Sequence, residues 1–468
     1  MFRQLARTAL IGACGVLFAS AAASAQQATP APAPTATPSA FTYSGTLRAF
    51  YFTRSNLVQN GANPNRTAFN FGGKLHGDYR FGTTPFSVGA SYYGADPFGA
   101  NGSNAGFNPR IDNTLPGFSL STLGEAYLQY KTKTVYVKAG NQNYKSPWAP
   151  DSDSRIKPAL YQGADVALGL VKNVTLGLTD VIRFQNRTSS VFDKTTLLTG
   201  GPIAGGPNNP RIETNGFAVA SLGYKNGSAV SATLYDYAFY NIANLVYGEA
   251  KFFPSPKSPI KPYVAAQFVH EHQAGQAVVG IIDNTTYGMQ VGATFSKNVD
   301  LALGYDQSPE KTATLNGTCA QAGTSGYFID AGGTSSCRTY APGTFTLYYG
   351  GIASPYSDSY ATDPLYTTSI SQGAADRHST GRSFKLGGTF QTSDKRVKLI
   401  LSQAYYDYSN GAGANTTKEF DADATYFFNK VTSGTYRGLS LRHRYADRVQ
   451  PTLPFDFKYN RTQLQYDF

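Results

Sequence analysis

The segment Phe457-Lys458-Tyr459-Asn460-Arg461-Thr462-Gln463-Leu464-Gln465-Tyr466-Asp467-Phe468 alternates in character: Leu464, Tyr466 and Phe468 fall on one face, Arg461, Gln463, Gln465 and Asp467 on the other. Successive side chains of a strand point to opposite sides, so this ribbon is oily on one side and wet on the other. A closed barrel with lipid outside and water inside uses both faces. The start of the chain agrees with that destination. Arg3 and Arg7 precede an apolar run from Ala9 to Ala22, and the small residues Ala23-Ser24-Ala25 offer a cleavage site before Gln26. Residues 1–25 therefore read as an export signal, with Cys14 inside the discarded part.

Beyond the signal no stretch is apolar for the ~20 residues that a membrane-spanning helix requires. Mean hydropathy is −0.30, a value that would also suit a soluble protein. Alternation dilutes apolar residues twofold, however, so hydropathy misses barrels. What remains visible is aromatic enrichment, 33 Tyr and 30 Phe against one Trp, as interfacial girdles require, together with 48 Gly for turns and tight packing. Residues 26–40 are Pro- and Ala-rich, too poor in large apolar side chains to pack, and are expected to be extended, as a periplasmic tether or a disordered segment.

From about residue 41 the chain breaks into period-two segments whose connectors alternate short and long. Segments such as Ala68–Phe81 and Phe86–Gly94, Leu123–Thr132 and Thr134–Gly140, Tyr161–Val171 and Val174–Asn186, or Ser383–Thr392 and Arg396–Asp407 are joined by tight turns. Long connectors lie between these pairs. The count reaches about eighteen strands, an even number that puts both termini on the periplasmic side of an all-β, antiparallel transmembrane barrel spanning 41–468. In the second strand Phe71, Leu75, Tyr79 and Phe81 then face lipid, while Asn70, Lys74, His76, Asp78 and Arg80 face the lumen. Asp180 and His443 break the pattern by falling on the lipid side, so a bulge or register shift is expected near each.

Closure sets the first strand beside the last. Arg48 and Arg54 thereby neighbour Arg461, with Lys74 and Arg80 on the second strand and Arg442 and Arg444 on the seventeenth, forming one basic wall. Such a ladder could pass a carboxylate between several sites of moderate affinity, and the guanidinium fork suits that task. Glu419, Asp421 and Asp423 on the sixteenth strand form an acidic wall beside it, and the bland alternative is that these charges only satisfy one another. The formal charge of +11 falls to +9 without Arg3 and Arg7, and in an exported pore it points to anionic or zwitterionic solutes rather than nucleic acid.

The run Gly140-Asn141-Gln142, then Ser146-Pro147, then Asp151-Ser152-Asp153-Ser154-Arg155-Ile156-Lys157-Pro158 and Tyr161-Gln162-Gly163, resembles the signature of the OprD-type substrate-specific porins. Asp363-Pro364-Leu365-Tyr366 and Asn460-Arg461 extend the likeness. The resemblance implies that the third external loop, about 141–160, folds inward and constricts the pore. Asp151, Asp153, Ser154 and Arg155 become candidates for the constriction. It also implies passive uptake of small carboxylate-bearing solutes, among them amino acids and aromatic or aliphatic acids. The connector near Asn241 is much shorter than such proteins lead one to expect.

Other functions find less support. Cys319 and Cys337 lie in the long external loop, about 307–382, where a disulfide would act as a staple. That loop is also where a receptor or adhesin would display its surface, and a general diffusion porin without strong selectivity is the other alternative. His76, His378 and His443 stand alone, and His270-Glu271-His272 ends a strand, so no catalytic arrangement, metal site or cofactor is expected. Monomer and loose homotrimer both remain open.

Overall fold

The computed structural model describes residues 40–55, 66–100, 115, 118–151, 155–199, 212–296, 298–316, 336–341, 343–357, 363–373, 380–409, 415–429, 437–450 and 456–468. The expected signal, the linker up to residue 39, Asp153, Ser154, His378 and the Cys319 half of the disulfide lie outside these residues.

The strands are β1 (Phe41–Ser55), β2 (Arg66–Arg80), β3 (Phe86–Asp96), β4 (Leu120–Lys131), β5 (Val135–Gln142), β6 (Leu160–Val171), β7 (Val174–Gln185), β8 (Phe217–Asn226), β9 (Val230–Phe239), β10 (Ala243–Phe252), β11 (Ile260–Gln273), β12 (Asp283–Phe295) and β13 (Val299–Ser308). Three short strands follow, β14 (Lys311–Asn316), β15 (Ser336–Ala341) and β16 (Thr344–Tyr349). The chain ends with β17 (Thr380–Gln391), β18 (Val397–Ser409), β19 (Asn415–Phe427), β20 (Gly438–Val449) and β21 (Phe457–Asp467). Eighteen of them form one antiparallel sheet in which each pairs with its chain neighbours and β13 pairs with β17. The sheet closes because β21 pairs with β1, from Thr46 opposite Asp467 to Ser55 opposite Lys458. At this seam the ring of Phe468 covers Gly45, where a Cβ would lie 2.2 Å from the ring's Cζ. β14–β16 form a separate small sheet within the long connector, an element hidden in the sequence because its strands are only six residues each.

Both girdles and the oily belt follow from period two. Tyr43, Phe81, Phe252, Phe390, Phe428 and Tyr466 are exposed at the short-turn end, Tyr92, Tyr287, Phe384 and Tyr405 toward the other, and Leu75, Leu128, Leu234 and Met289 lie between. Among the described residues no helix is long and apolar enough to cross a membrane.

Besides an irregularity at Leu170 beside the β6–β7 turn, two extra residues disturb the alternation. In β4 the register slips between Ser91 and Tyr92, so Gly124 is unpaired; strict alternation through Leu123 would put Glu125 outside, and the slip turns it inward. Only glycine fits there, since a Cβ would lie 2.5 Å from Leu160 and 2.7 Å from Tyr93. The second slip, at Ile182, comes two residues after Asp180, as expected near that acid. Asp180 nonetheless stays on the outer face, where the Tyr240 hydroxyl donates to it at 3.2 Å. Near His443 the expected shift is absent: β20 pairs regularly with both neighbours. The exposed imidazole is accommodated by a hydrogen bond between its Nδ1 and the Thr462 hydroxyl, 3.0 Å, so the strand has no need to slip.

Candidate functional site: the lumen wall at the seam

Register alone sets the heights of the basic side chains. Arg54 stands opposite Tyr459; Phe52 opposite Arg461, which in turn faces Arg444; Phe50 opposite Gln463, which faces Arg442; Arg48 opposite Gln465; and Thr46 opposite Lys74 on β2. Each inward step is two residues, ~7 Å along the strand. Arg54, the pair Arg461 and Arg444, Arg442, Arg48 and Lys74 thus occupy consecutive inward levels. Arg80 does not join them: it is exposed at the short-turn end of β2.

Their surroundings differ. Arg442 grips Asp423 in a fork, Nε to Oδ1 at 2.8 Å and Nη2 to Oδ2 at 2.6 Å, and Arg444 Nε reaches the same Oδ2 at 2.6 Å. Arg48 donates Nε to the Gln465 side chain at 3.0 Å and Nη1 to the carbonyl of Arg155 at 2.7 Å. Arg461 is 1 % exposed, with its guanidinium 5.0 Å from the Phe50 ring centroid, and Arg54 lies 4.9 Å from that of Phe52. A cavity of about 250 Å³ opens beside this wall, lined among others by Arg48, Lys398, Asp423, Arg442, Gln463 and Gln465. One carboxylate set between two guanidinium groups leaves this cluster with a net positive charge.

The three acids of β19 divide. Asp423 faces the arginines, whereas Glu419 and Asp421 are covered by the connector between β13 and β17, hereafter loop 7, and accept its backbone N–H groups. The connector between β5 and β6, loop 3, is fastened at both ends. Glu125 receives the backbone N–H of Asn143 at 3.1 Å, Lys74 Nζ at 2.8 Å, Tyr93 hydroxyl at 3.0 Å and Ser91 hydroxyl at 2.5 Å, with Lys138 Nζ at 3.8 Å. Sequence reading missed Glu125 because the Gly124 slip is invisible to strict alternation. Farther on, Trp148 is fully buried beside Tyr247, its backbone N–H on the Tyr237 hydroxyl at 3.3 Å. Lys157 donates to the carbonyl oxygens of Pro158 and Asn186, and burial near Arg187 holds its amine well below the ordinary lysine value. Ile156 from loop 3 and Ile370 from loop 7 pack together with Phe50, Phe52 and Phe457, so both connectors reach the seam from inside. Asp151 pairs instead with the exposed Lys145 at 3.1 Å, while Arg155 is buried and meets Arg48 through its carbonyl.

Removing Glu125 leaves Lys74 and Lys138 uncompensated and unties Asn143. Glu125→Ala is expected to destabilise this region by about 3–5 kcal/mol, and Glu125→Gln, which keeps an acceptor oxygen, by less. Trp148 is the one tryptophan of the chain, so its emission reports on loop 3. A red shift in the Ala variant, and little or none in the Gln variant, is the expected result; unchanged emission in both would show that Glu125 does not hold the loop.

A family model described as "outer membrane porin, OprD family" matches residues 40–330. Comparison with curated proteins gives no match. Among solved structures, Pseudomonas aeruginosa OccK8 (OprE) is similar with a TM-score of 0.67 at 15% identity, over 92% of this chain and 98% of that one. Acinetobacter baumannii OccAB2 gives 0.66 at 16% identity with the same coverages. The structure of Pseudomonas aeruginosa OpdK with vanillate gives 0.65 at 14% identity, again over 92% and 98%.

Proposed function

The chain belongs to the OprD family of bacterial outer-membrane porins, and on that premise we propose that it admits small carboxylate-bearing solutes by passive diffusion along the arginine-lined wall at its seam. The observation that carries this reading is the run of consecutive inward levels from Arg54 to Lys74, with Arg48 and Arg442 opening onto the cavity. Guanidinium groups offer a carboxylate two parallel hydrogen bonds, and steps of ~7 Å let one site release as the next engages. Asp423 moderates the two arginines beside it, which keeps any one site from holding its solute too tightly. Loop 3 narrows the passage against this wall through the contact between Arg155 and Arg48. The vanillate bound by OpdK is an aromatic carboxylate, which favours aromatic acids alongside aliphatic acids and amino acids as solutes. Residues 1–25 serve as the export signal, and both termini face the periplasm.

Reversal potentials across planar bilayers in a salt gradient, with liposome swelling in matched cationic, neutral and anionic solutes, test the proposal. Anions are expected to permeate several-fold faster than size-matched cations. Equal permeation would make the protein a general diffusion porin, and tight ligand binding without conductance would make it a receptor.

A further inference from the structure

Loop 7 leaves the barrel after β13 and re-enters at β17, yet its described residues travel around the inside of the wall to strands far from either. Glu271 on β11 accepts the backbone N–H of Ala353 at 2.8 Å. Tyr356 is inserted among Phe184, Phe217 and Phe239, with centroids 5.3, 4.7 and 5.8 Å away. On the return, Thr367 donates both its N–H and its hydroxyl to one oxygen of Asp306 on β13, each at 2.7 Å. Ile370 donates its N–H to Asp421 at 3.2 Å, and Ser371 donates N–H and hydroxyl to the two oxygens of Glu419, both at 2.7 Å. Arg448 Nη1 then donates to the Ser371 carbonyl at 3.2 Å.

These carboxyl groups have no part in closing the barrel, for the pairing around them is regular. On a water-filled wall they would be wet, but Glu271, Asp306, Glu419 and Asp421 are 0, 1, 0 and 4 % exposed, beneath the loop. A connector inside a barrel has backbone N–H groups that no strand satisfies, and a buried N–H without an acceptor is costly. A carboxyl group on the wall supplies acceptor oxygens to such donors without needing a return partner. We infer that Glu271, Asp306, Glu419 and Asp421 are seating residues for loop 7: they hold it across the lumen and so set the width of the passage, and they are not stations for solute. This rests on the protein being an open channel, and not on the preference for carboxylates.

The test is single-channel conductance of the full-length protein refolded in bilayers. Glu419→Ala with Asp421→Ala is expected to raise conductance about twofold or more and to admit larger neutral solutes. Glu419→Gln, which keeps an acceptor for Ser371, is expected to stay near the parent. Ser371→Pro removes the N–H and hydroxyl from the loop side, leaves every wall residue untouched, and is expected to raise conductance in the same way should the double variant fail to fold. Thr367→Cys with Ser383→Cys, whose native oxygens lie 2.6 Å apart, supplies a lock. Oxidised in the double-alanine background, or in Ser371→Pro if that background does not fold, it should return conductance to the parent value, and reduction should raise it again. Conductance unmoved by Ser371→Pro, or raised but indifferent to the lock, overturns the inference. A wild type that does not discriminate solute charge would sink the transport proposal while leaving this result as it stands.

Discussion

Replacing Arg442 and Arg444 together with alanine should cut carboxylate uptake about tenfold while leaving an open channel, and should move the reversal potential toward cation preference. The expectation follows from what remains. The two guanidinium groups share Asp423, whose side chain is 7 % exposed. With both gone, the cluster of Arg442, Arg444 and Asp423 passes from one net positive charge to one net negative charge beside the cavity. Two unit charges ~4 Å apart interact by about 1 kcal/mol even in bulk water, and by more within a partly dry wall. A change of two charges is therefore of the order that a tenfold effect demands. Asp423→Asn should act in the opposite direction, freeing both arginines, strengthening anion preference and slowing release. The pair of variants is decisive because a merely structural role for the cluster predicts that both lose folded protein and neither shifts selectivity in a signed way. Carboxylate flux unchanged in the double-alanine protein would end the case for this part of the wall.

The second large effect belongs to Trp148. It is completely buried in the cluster that joins loop 3 to β6–β11 and to loop 7. Trp→Ala truncation in such a setting costs about 3–5 kcal/mol. The barrel itself, closed by eighteen strand pairings, does not depend on this ring, so the cost falls on the seat of loop 3. Trp148→Ala should give a folded barrel that still shifts on heating in detergent gels, with raised and noisier single-channel current and a proteolytic cut within 143–159. Quiet, parent-like current with an intact loop would show that the Glu125 anchor suffices alone.

Much of the architecture was readable in advance, for a physical reason: a barrel wall between lipid and water must alternate at every strand, as Phe420, Tyr426 and Phe428 do against Glu419, Asp421 and Asp423. The connector lengths, which alternate except at the short turn around Asn241, supplied the strand count, and the chain makes that turn with a positive φ of 64° at Asn241. What escaped reading lies where the chain departs from the wall. Glu125 was hidden by one unpaired glycine. The acids Glu419 and Asp421, grouped with Asp423 by their shared strand and face, are covered by loop 7 because a connector about fifty residues away in sequence lies over them, and periodicity carries no information about such folding back.

The junction of β1 with β21 carries a consequence for biogenesis. Arg48 comes from the first strand and Arg461 from the last, with Arg442 and Arg444 on the strand before it. On a sheet still waiting to zip shut the charged column is therefore split, with Arg442, Arg444 and Arg461 at one edge and Arg48, Arg54 and Lys74 at the other. The two halves join only when the extremities of the chain meet, so a prematurely terminated protein would leave the arginines of β1 without their partners across the seam.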